Sequence, residues 1–237
     1  YDANTFLDDD VVTIEEILSL DGKLDEGQYA INNALIEWVT LANVVNAGGD
    51  ISDEAGNPTI NTDAMRSVVE QLKSVADAGL MSPYGEDGYA MFQSGDVLFS
   101  TDGTWTSTAH GSVEGLNFGV TNIYSVTPDK FTNRSSAHLF SLLNNEDRTD
   151  EKEQGVADFL SWMRENSLDW AGAGQIVASK EVFESEEYQQ YPQSFFTSSD
   201  VEKEASYIFD YKYYSYVESA LGTVLSDMIY GNITIDE

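Results

Sequence analysis

Flat aromatic side chains at the ends of predicted elements are the residues of this sequence best suited to contact a ligand. Trp105 follows a short apolar run and the turn Asp102–Gly103, and Trp170 lies in a glycine-rich stretch after a helical pattern. Tyr213 and Tyr214 stand at the front of the last helical pattern. Sugar rings stack an apolar C–H face on such rings, and their hydroxyls bond to polar groups around the edge. The placement predicts a site for a polyhydroxylated ligand, with ordinary core packing of these rings as the alternative.

Catalytic motifs are missing from the sequence. There is no nucleophile elbow, phosphate-binding glycine loop, H-E-x-x-H helix or dinucleotide-binding glycine motif after a strand. His110 and His138 are the two histidines, and neither has a nucleophile beside it in sequence. The 42 Asp and Glu residues supply carboxylate pairs everywhere, so a hydrolase that uses paired carboxylates stays open as an alternative. No residue is singled out as catalytic.

Metal and cofactor sites are not predicted either. The segment from Asp50 to Asn61 partly follows a calcium-binding loop, but Ala55 stands where glycine is needed and Asn61 where glutamate is needed. We predict a polar turn there. The absence of cysteine excludes disulfides, zinc–thiolate sites, iron–sulfur clusters and thiol nucleophiles.

The composition is that of a folded, strongly acidic protein. The 237 residues carry a formal net charge of −31, and 41% of them are hydrophobic, which is enough to form a core. Such a charge repels phosphate backbones and anionic lipid headgroups, so nucleic acid is excluded as a partner. The acidic surface is also compatible with a high-salt habitat, simple solubility or a surface adhesion module. The chain opens with Tyr1 rather than Met, which predicts a processed or excised piece.

The elements that position the aromatic residues are helices alternating with short strands, which predicts an α/β fold. Thr13 and Glu16 form a capping-box pattern, and Trp170–Gln175 is predicted to be a loop. A short helix is predicted from this box to about Gly22. Further helices are predicted over 31–48, 61–79, 89–94, 149–165 and from about 209 to 230. Strands are predicted over 97–101, 118–126 and 137–143.

Several segments, in order along the chain, resemble those of the family 1 extracellular solute-binding proteins, the carbohydrate receptors of ABC importers that include maltose-binding protein. The most specific is the segment from Gly88 to Trp105, which is similar to the family's pattern of a helix, a strand and a G-x-W turn. The other matching segments are Trp38–Ile51, Asn61–Gly79, Phe118–Val120, Ser136–His138, Ala157–Trp162 and Trp170–Ile176.

The resemblance implies a periplasmic-binding-protein-like (type II) fold with two lobes. Residues 1–126 and 186–237 would belong to the C-terminal lobe, and residues 137–185 would be a segment that returns to the N-terminal lobe. Nothing in Tyr1–Val12 is similar to the family's first lobe, so the resemblance implies a fragment that lacks the N-terminal part. The family's usual proline is Val177 here, so the backbone of that loop need not follow the family.

The function implied by the resemblance is a non-enzymatic receptor. It would bind an oligosaccharide in an interlobe cleft and deliver it to an ABC permease, outside the cell and held by a lipid anchor. Its partners would be the oligosaccharide, the permease subunits and the missing N-terminal lobe, and it would need no cofactor. The residues assigned to the ligand are Trp105, His138, Trp170, Tyr213, Tyr214, Asn32 and Asn33. For His138, a hydrogen-bonded structural role is the equal alternative.

Overall fold

A computed structural model describes residues 11–198 and 206–236. The chain divides into two compact units. Unit 1 comprises the described parts of Tyr1–Asp102, Thr121–Ser135 and Glu204–Glu237, and unit 2 those of Gly103–Val120 and Ser136–Lys203.

Helices and short strands alternate along the described residues, as predicted. The helices are α1 Ile14–Leu18, α2 Ile36–Asn46, α3 Asp63–Asp77, α4 Gly88–Ser94, α5 Ser107–Gly111, α6 Asp150–Glu165, α7 Ser167–Gly172, α8 Lys180–Phe183, α9 Phe195–Ser198 and α10 Tyr214–Ile229. The strands are β1 Tyr29–Ile31, β2 Val97–Phe99, β3 Asn133–Arg134 and β4 Ser206–Tyr207. In the part of the chain described, no helix is long and apolar enough to cross a bilayer.

The core of unit 1 forms where α2, α3 and α10 pack on one another. In α3 the Thr62 hydroxyl caps the first turn by accepting from the Met65 N–H, as the sequence predicts. One face of this helix is buried, at Met65, Val68, Val69, Leu72 and Val75. Full burial of an aliphatic side chain of this size contributes about 1.5–3 kcal/mol, so this face anchors the unit.

Short parallel strand pairs connect the segments of unit 1. In the first pair, Tyr29 of β1 lies opposite Val97 of β2, and Ile31 lies opposite Phe99. The prediction that Ile31 belongs to the next helix is wrong, because its backbone is paired with β2 and α2 begins only at Ile36. β3 pairs with β4 in the same parallel sense.

Unit 2 has a small core, formed by Ala171, Val177 and Tyr188. The predicted helix over 149–165 forms as α6, with Thr149 as its N-cap, but none of its residues is buried. The strands predicted over 118–126 and 137–143 do not form; Ser125 makes only an isolated bridge. A strand needs a neighbour to take up its N–H and C=O groups, and the structure gives these segments no such ladder. The segment predicted as a loop over 170–175 begins in α7, which includes Trp170.

The division into units differs from the predicted lobes in two places. Residues 103–120 and 186–198 group with 136–185 rather than with the first part of the chain. Thr108 bonds to the carbonyl of Gly172, which ties the first of these segments to α7. The lobe boundaries themselves stay a prediction.

Candidate functional site

Trp105 presents an accessible indole in unit 2. It lies in the 3-10 turn Thr104–Thr106, and its side chain is 49% exposed. A Cβ at Gly103 would overlap three carbon atoms of the indole, so the ring packs directly on that glycine backbone. Glycine is needed here because the ring approaches the main chain so closely. The contact supports the ring from one side while about half of the side chain stays open.

Trp170 and His138 are brought together in the same unit, although 32 residues separate them in sequence. Their ring centroids are 6.3 Å apart and the planes meet at 72°, an edge-to-face contact. Trp170 is 43% exposed, and His138 is exposed as well. This pair therefore offers a flat apolar surface beside a group that can donate or accept a hydrogen bond.

The two tryptophan segments of unit 2 are in direct contact. The Thr108 hydroxyl donates to the Gly172 carbonyl at 3.0 Å. A Cβ at Gly174 would overlap the Thr104 carbonyl oxygen and lie 3.1 Å from Trp105 Cα. Of the seven predicted ligand residues, the structure thus gathers Trp105, His138 and Trp170 in one unit.

Tyr213 and Tyr214 lie in unit 1, at the start of α10, and their environments differ. Lys212 Nζ stands 5.0 Å from the centre of the Tyr213 ring. Tyr214 is half-buried, stacked on Phe209 with 5.6 Å between ring centroids. Its hydroxyl donates to Glu218 Oε1, so its polar end is already occupied by the protein.

A cluster around Arg134 is the feature that sequence reasoning missed; we call it the Arg134 cluster. The guanidinium stacks over Trp38 at 3.7 Å, donates from Nε to the Tyr214 hydroxyl at 2.9 Å and pairs with Glu218 at 3.0 Å. Burial, and then the charge of Glu218, raise the pKa of Glu37. Burial also raises the pKa of Tyr214 strongly. The cluster ties β3 to α10 by charge-assisted bonds and to α2 by the stacking of Arg134 on Trp38.

The two asparagines assigned to the ligand lie just after β1. Asn32 is buried; its amide donates to Ser100 Oγ at 2.7 Å and accepts from the Thr101 N–H at 3.1 Å. Its Cβ also lies where a side chain on Gly88 would have to go. These contacts give Asn32 a structural role, and its contact with a ligand stays a prediction. Asn33 is half-buried.

Metal binding offers no competing site among the described residues, whereas one groove lies in unit 1. No three acidic or histidine side chains there are grouped closely enough to hold a metal ion. In the Asp50–Asn61 loop, the Asp53 carboxylate accepts from the N–H groups of Ala55 and Asn57, which makes the predicted polar turn. A groove of about 300 Å³ in unit 1 is lined by Lys130 and residues of 45–52 and 208–211, none of which was assigned to the ligand.

Comparison with known families gives one match that covers most of the chain. The sequence profile described as bacterial extracellular solute-binding protein matches residues 1–197. A comparison with curated protein sequences finds no match.

Solved structures give a consistent likeness. The maltose/maltodextrin-binding domain MalE of Bdellovibrio bacteriovorus bound to maltotriose matches with a TM-score of 0.77 and 15% identity, over 97% of this chain and 64% of that chain. The maltose-bound MalE3 of T. maritima matches with a TM-score of 0.72 and 14% identity, over 98% and 63%. A sugar transporter of Arthrobacter chlorophenolicus A6 with bound laminaribiose matches with a TM-score of 0.73 and 14% identity, over 94% of this chain and 61% of that chain.

At these identities the likeness shows the fold alone, which is the periplasmic-binding-protein-like fold predicted from the sequence. The chain spans between 61% and 64% of the length of these three structures.

Proposed function

The chain belongs to the bacterial extracellular solute-binding protein family, and on this premise we propose that it binds an oligosaccharide without transforming it. The family is one of binding proteins, which agrees with the prediction that the chain is not an enzyme. The observation that carries the proposal is the group of Trp105, Trp170 and His138 in unit 2, where two indoles remain open by nearly half.

The chemistry of this group suits a sugar better than an ion or an apolar ligand. Each indole offers a flat face to the C–H side of a pyranose ring, and His138 can exchange a hydrogen bond with a hydroxyl at the edge. The three structural relatives named above hold maltotriose, maltose and laminaribiose, which are all oligosaccharides. We therefore propose oligosaccharides of two or more units as the ligand class, with Tyr213, Tyr214, Asn32 and Asn33 as less direct contributors.

The binding test is a calorimetric titration of the chain with maltose, maltotriose and laminaribiose, beside an assay for newly released reducing ends. We expect binding of at least one saccharide and no release of reducing ends above the buffer rate. Release at enzyme-like rates would contradict the proposal and favour a hydrolase that uses paired carboxylates. Binding only to a polymer or a protein would favour an adhesion module.

The proposal also covers location and delivery. The family is extracellular, and we propose that the receptor presents its sugar to the membrane subunits of an ABC transporter. A lipid anchor is proposed on the resemblance alone. Vesicles or nanodiscs that contain candidate permease subunits would test delivery: sugar uptake should depend on the receptor, and uptake at the same rate without it would contradict this part.

A further lobe is proposed as the partner of an apolar surface in unit 2. This surface consists of Leu139, Phe140, Leu142, Leu143, Val156, Phe159, Leu160 and Trp162, all exposed. Phe140 and Phe159 contact each other edge to face, so the segment before α6 and the helix itself form one surface. Contiguous apolar surface of this kind marks a site of contact. The chain spans less than two thirds of the length of the three structural relatives named above. Their additional length supports a lobe of the same protein as the partner that covers this surface.

The mass of the protein in its source cells tests this part. We expect a mass clearly greater than that of these 237 residues, and amides of α6 protected from hydrogen exchange in the longer protein. A source protein with only the mass of these 237 residues would contradict the proposal. A longer protein in which the amides of α6 exchange as fast as in the isolated chain would contradict it as well. Self-association that Phe159→Ser abolishes would identify a second copy as the occupant.

A further inference from the structure

The segments that carry Trp105 and Trp170 meet at Gly174. A side chain on any other residue at this position would displace neighbouring backbone atoms. Gly174 is buried, and its φ of +85° lies in the left-handed region that favours glycine. A Cβ there would overlap the Thr104 carbonyl oxygen and lie 3.1 Å from Trp105 Cα. The backbone four residues after Trp170 is therefore pressed against the backbone of Trp105 itself.

Two side chains hold the same loop from other directions. The Thr108 hydroxyl, from α5, donates to the Gly172 carbonyl at 3.0 Å. Gln193 is fully buried, and its amide nitrogen donates to the carbonyls of Ala171 at 2.7 Å and Gln175 at 3.4 Å. Its Oε1 has no hydrogen-bond partner among the described residues. Through these two donated bonds, the buried Gln193 side chain contacts the backbone on both sides of Gly174.

We infer that Thr108, Gly174 and Gln193 are positioning residues that fix the two indoles relative to each other before a ligand arrives. The inference rests on the proposed function and deepens it. Rings held in place lose less conformational freedom on binding, so affinity increases for a ligand that contacts both. A saccharide too short to reach both rings gains nothing from their fixed spacing. The three residues therefore select for saccharide length, although none of them is assigned to the sugar.

The main test compares Thr108→Val with Thr108→Ser. Thr108 is exposed and belongs to the short helix α5. Valine at this position removes the hydroxyl without creating a cavity in the core, whereas serine keeps a hydroxyl that can donate. The first measurement needs no ligand: the indole N–H resonances of Trp105 and Trp170 in ¹H–¹⁵N spectra. We expect Thr108→Val to shift both resonances and Thr108→Ser to leave them near the wild-type positions. Unchanged resonances in Thr108→Val would overturn the inference.

The second measurement is affinity for maltotriose and for methyl glucoside, which carries a single pyranose ring. Thr108→Val should weaken maltotriose binding about fivefold, the size expected for one ordinary hydrogen bond, and leave methyl glucoside unchanged. Equal weakening of both ligands would overturn the role in length selection. If the wild-type chain binds no saccharide, the proposed function fails, while the indole resonances still decide whether these residues position the rings.

Gly174→Ala and Gly115→Ala form a matched pair that separates contact from backbone strain. Both glycines have a positive φ, +85° and +86°, but a Cβ at Gly115 meets no atom within 4 Å. Both variants should lose stability from strain, and only Gly174→Ala should move the Trp105 indole resonance. The same resonance shift in both variants would assign the effect to strain and contradict the contact with Trp105.

Discussion

At the level of single residues, Trp38 and Trp105 differ in what contacts their ring faces. Trp38 is stacked under the Arg134 guanidinium, so that face of its ring is occupied. Trp105, in contrast, rests on the backbone of Gly103 and stays 49% exposed. A half-exposed ring buries less apolar surface than the ring of a core tryptophan. Loss of the ring should therefore affect binding more than folding.

Trp105→Ala should weaken saccharide binding by about 1–3 kcal/mol, as for other aromatic anchors at binding surfaces. The free energy of unfolding should fall by much less than the about 3–5 kcal/mol of a core tryptophan. Calorimetric titration and urea unfolding measure the two effects. Trp162→Ala is the control, because Trp162 is 56% exposed on the apolar surface of unit 2 and should leave binding unchanged. Unfolding of Trp105→Ala with normal binding by the remaining folded protein would make Trp105 a core residue.

Only part of the site could be predicted from the sequence, and the reason is local. Glycines and a turn next to Trp105 and Trp170 indicate residues at the ends of elements, where side chains are often open. No local pattern in the sequence indicates the Arg134 cluster, because Arg134 and Glu218 are 84 positions apart and meet only through tertiary packing. Asn32 shows what the sequence does not give: the bonds of its amide to Ser100 and Thr101 inside unit 1 depend on tertiary packing, and its ligand contact stays a prediction.

Two half-buried tyrosines make the free energy of unfolding of unit 1 depend on pH in the alkaline range. Burial raises the pKa of Tyr211 and of Tyr230 to about 12. Tyrosine in an unfolded chain has a pKa of about 10, so the folded state disfavours ionisation. The stabilising contribution is therefore complete below about pH 10 and is lost as the pH rises through about 12. The free energy of unfolding in urea should change little between pH 9 and about pH 10 and then fall up to pH 11.5.

Tyr211→Phe is the matched control for this pH dependence. The Tyr211 hydroxyl is buried and has no hydrogen-bond partner in the described part of the chain. Its removal should cost no hydrogen bond at neutral pH, and the variant should lose less stability than wild type between pH 9 and pH 11.5. Absorbance at 295 nm follows tyrosine ionisation in the same samples. An identical slope in both proteins would show that Tyr211 does not contribute.

At the level of elements, α3 and α6 show what periodicity predicts and what it omits. Both helices are predicted from their apolar spacing, both begin after a threonine cap, and they have 15 and 16 residues. Five apolar residues of α3 are buried, whereas no residue of α6 is. Sequence spacing identifies the apolar face of a helix, but it does not say whether a partner for that face is present.

Strands were harder to predict than helices for a related reason. A helix satisfies its backbone within one segment, while a strand depends on a partner elsewhere in the chain. The apolar run of 137–143 has strand composition but forms no ladder, and its leucines are exposed. β1 has three residues and was missed, because Ile31 also fits the helical spacing of the following segment.

Hydrogen exchange should differ sharply between these two helices. A helix of about this length is marginal in water without packing, so amides of α6 should exchange with an opening free energy of about 1–2 kcal/mol. Amides of α3 should exchange only through the larger opening of unit 1. Exchange followed by mass spectrometry at neutral pH compares the two within one sample. Equal protection would show that α6 is covered, and dilution would then reveal whether a second copy covers it.

At the level of the whole molecule, the charge sets the conditions under which the fold persists. The 11 Lys and Arg residues face 42 Asp and Glu residues. Several of these cations are held in local pairs, such as Arg134–Glu218 in unit 1 and Arg148–Glu153 in unit 2. Even if each of the 11 cations were paired with one acid, 31 acids would have no cationic partner, which is the net charge of −31. Self-repulsion of this size opposes the compact state.

Salt should therefore stabilise the protein at neutral pH. Screening acts over about 10 Å at 0.1 M and about 3 Å at 1 M ionic strength, so added NaCl weakens repulsion between carboxylates more than it weakens close pairs. We expect the midpoint of thermal unfolding, followed by circular dichroism, to rise between these concentrations. Near pH 4 about half of the carboxylates are protonated, so the same salt step should raise the midpoint less. A midpoint that is independent of salt at pH 7, or an equal rise at both pH values, would show that self-repulsion does not limit stability.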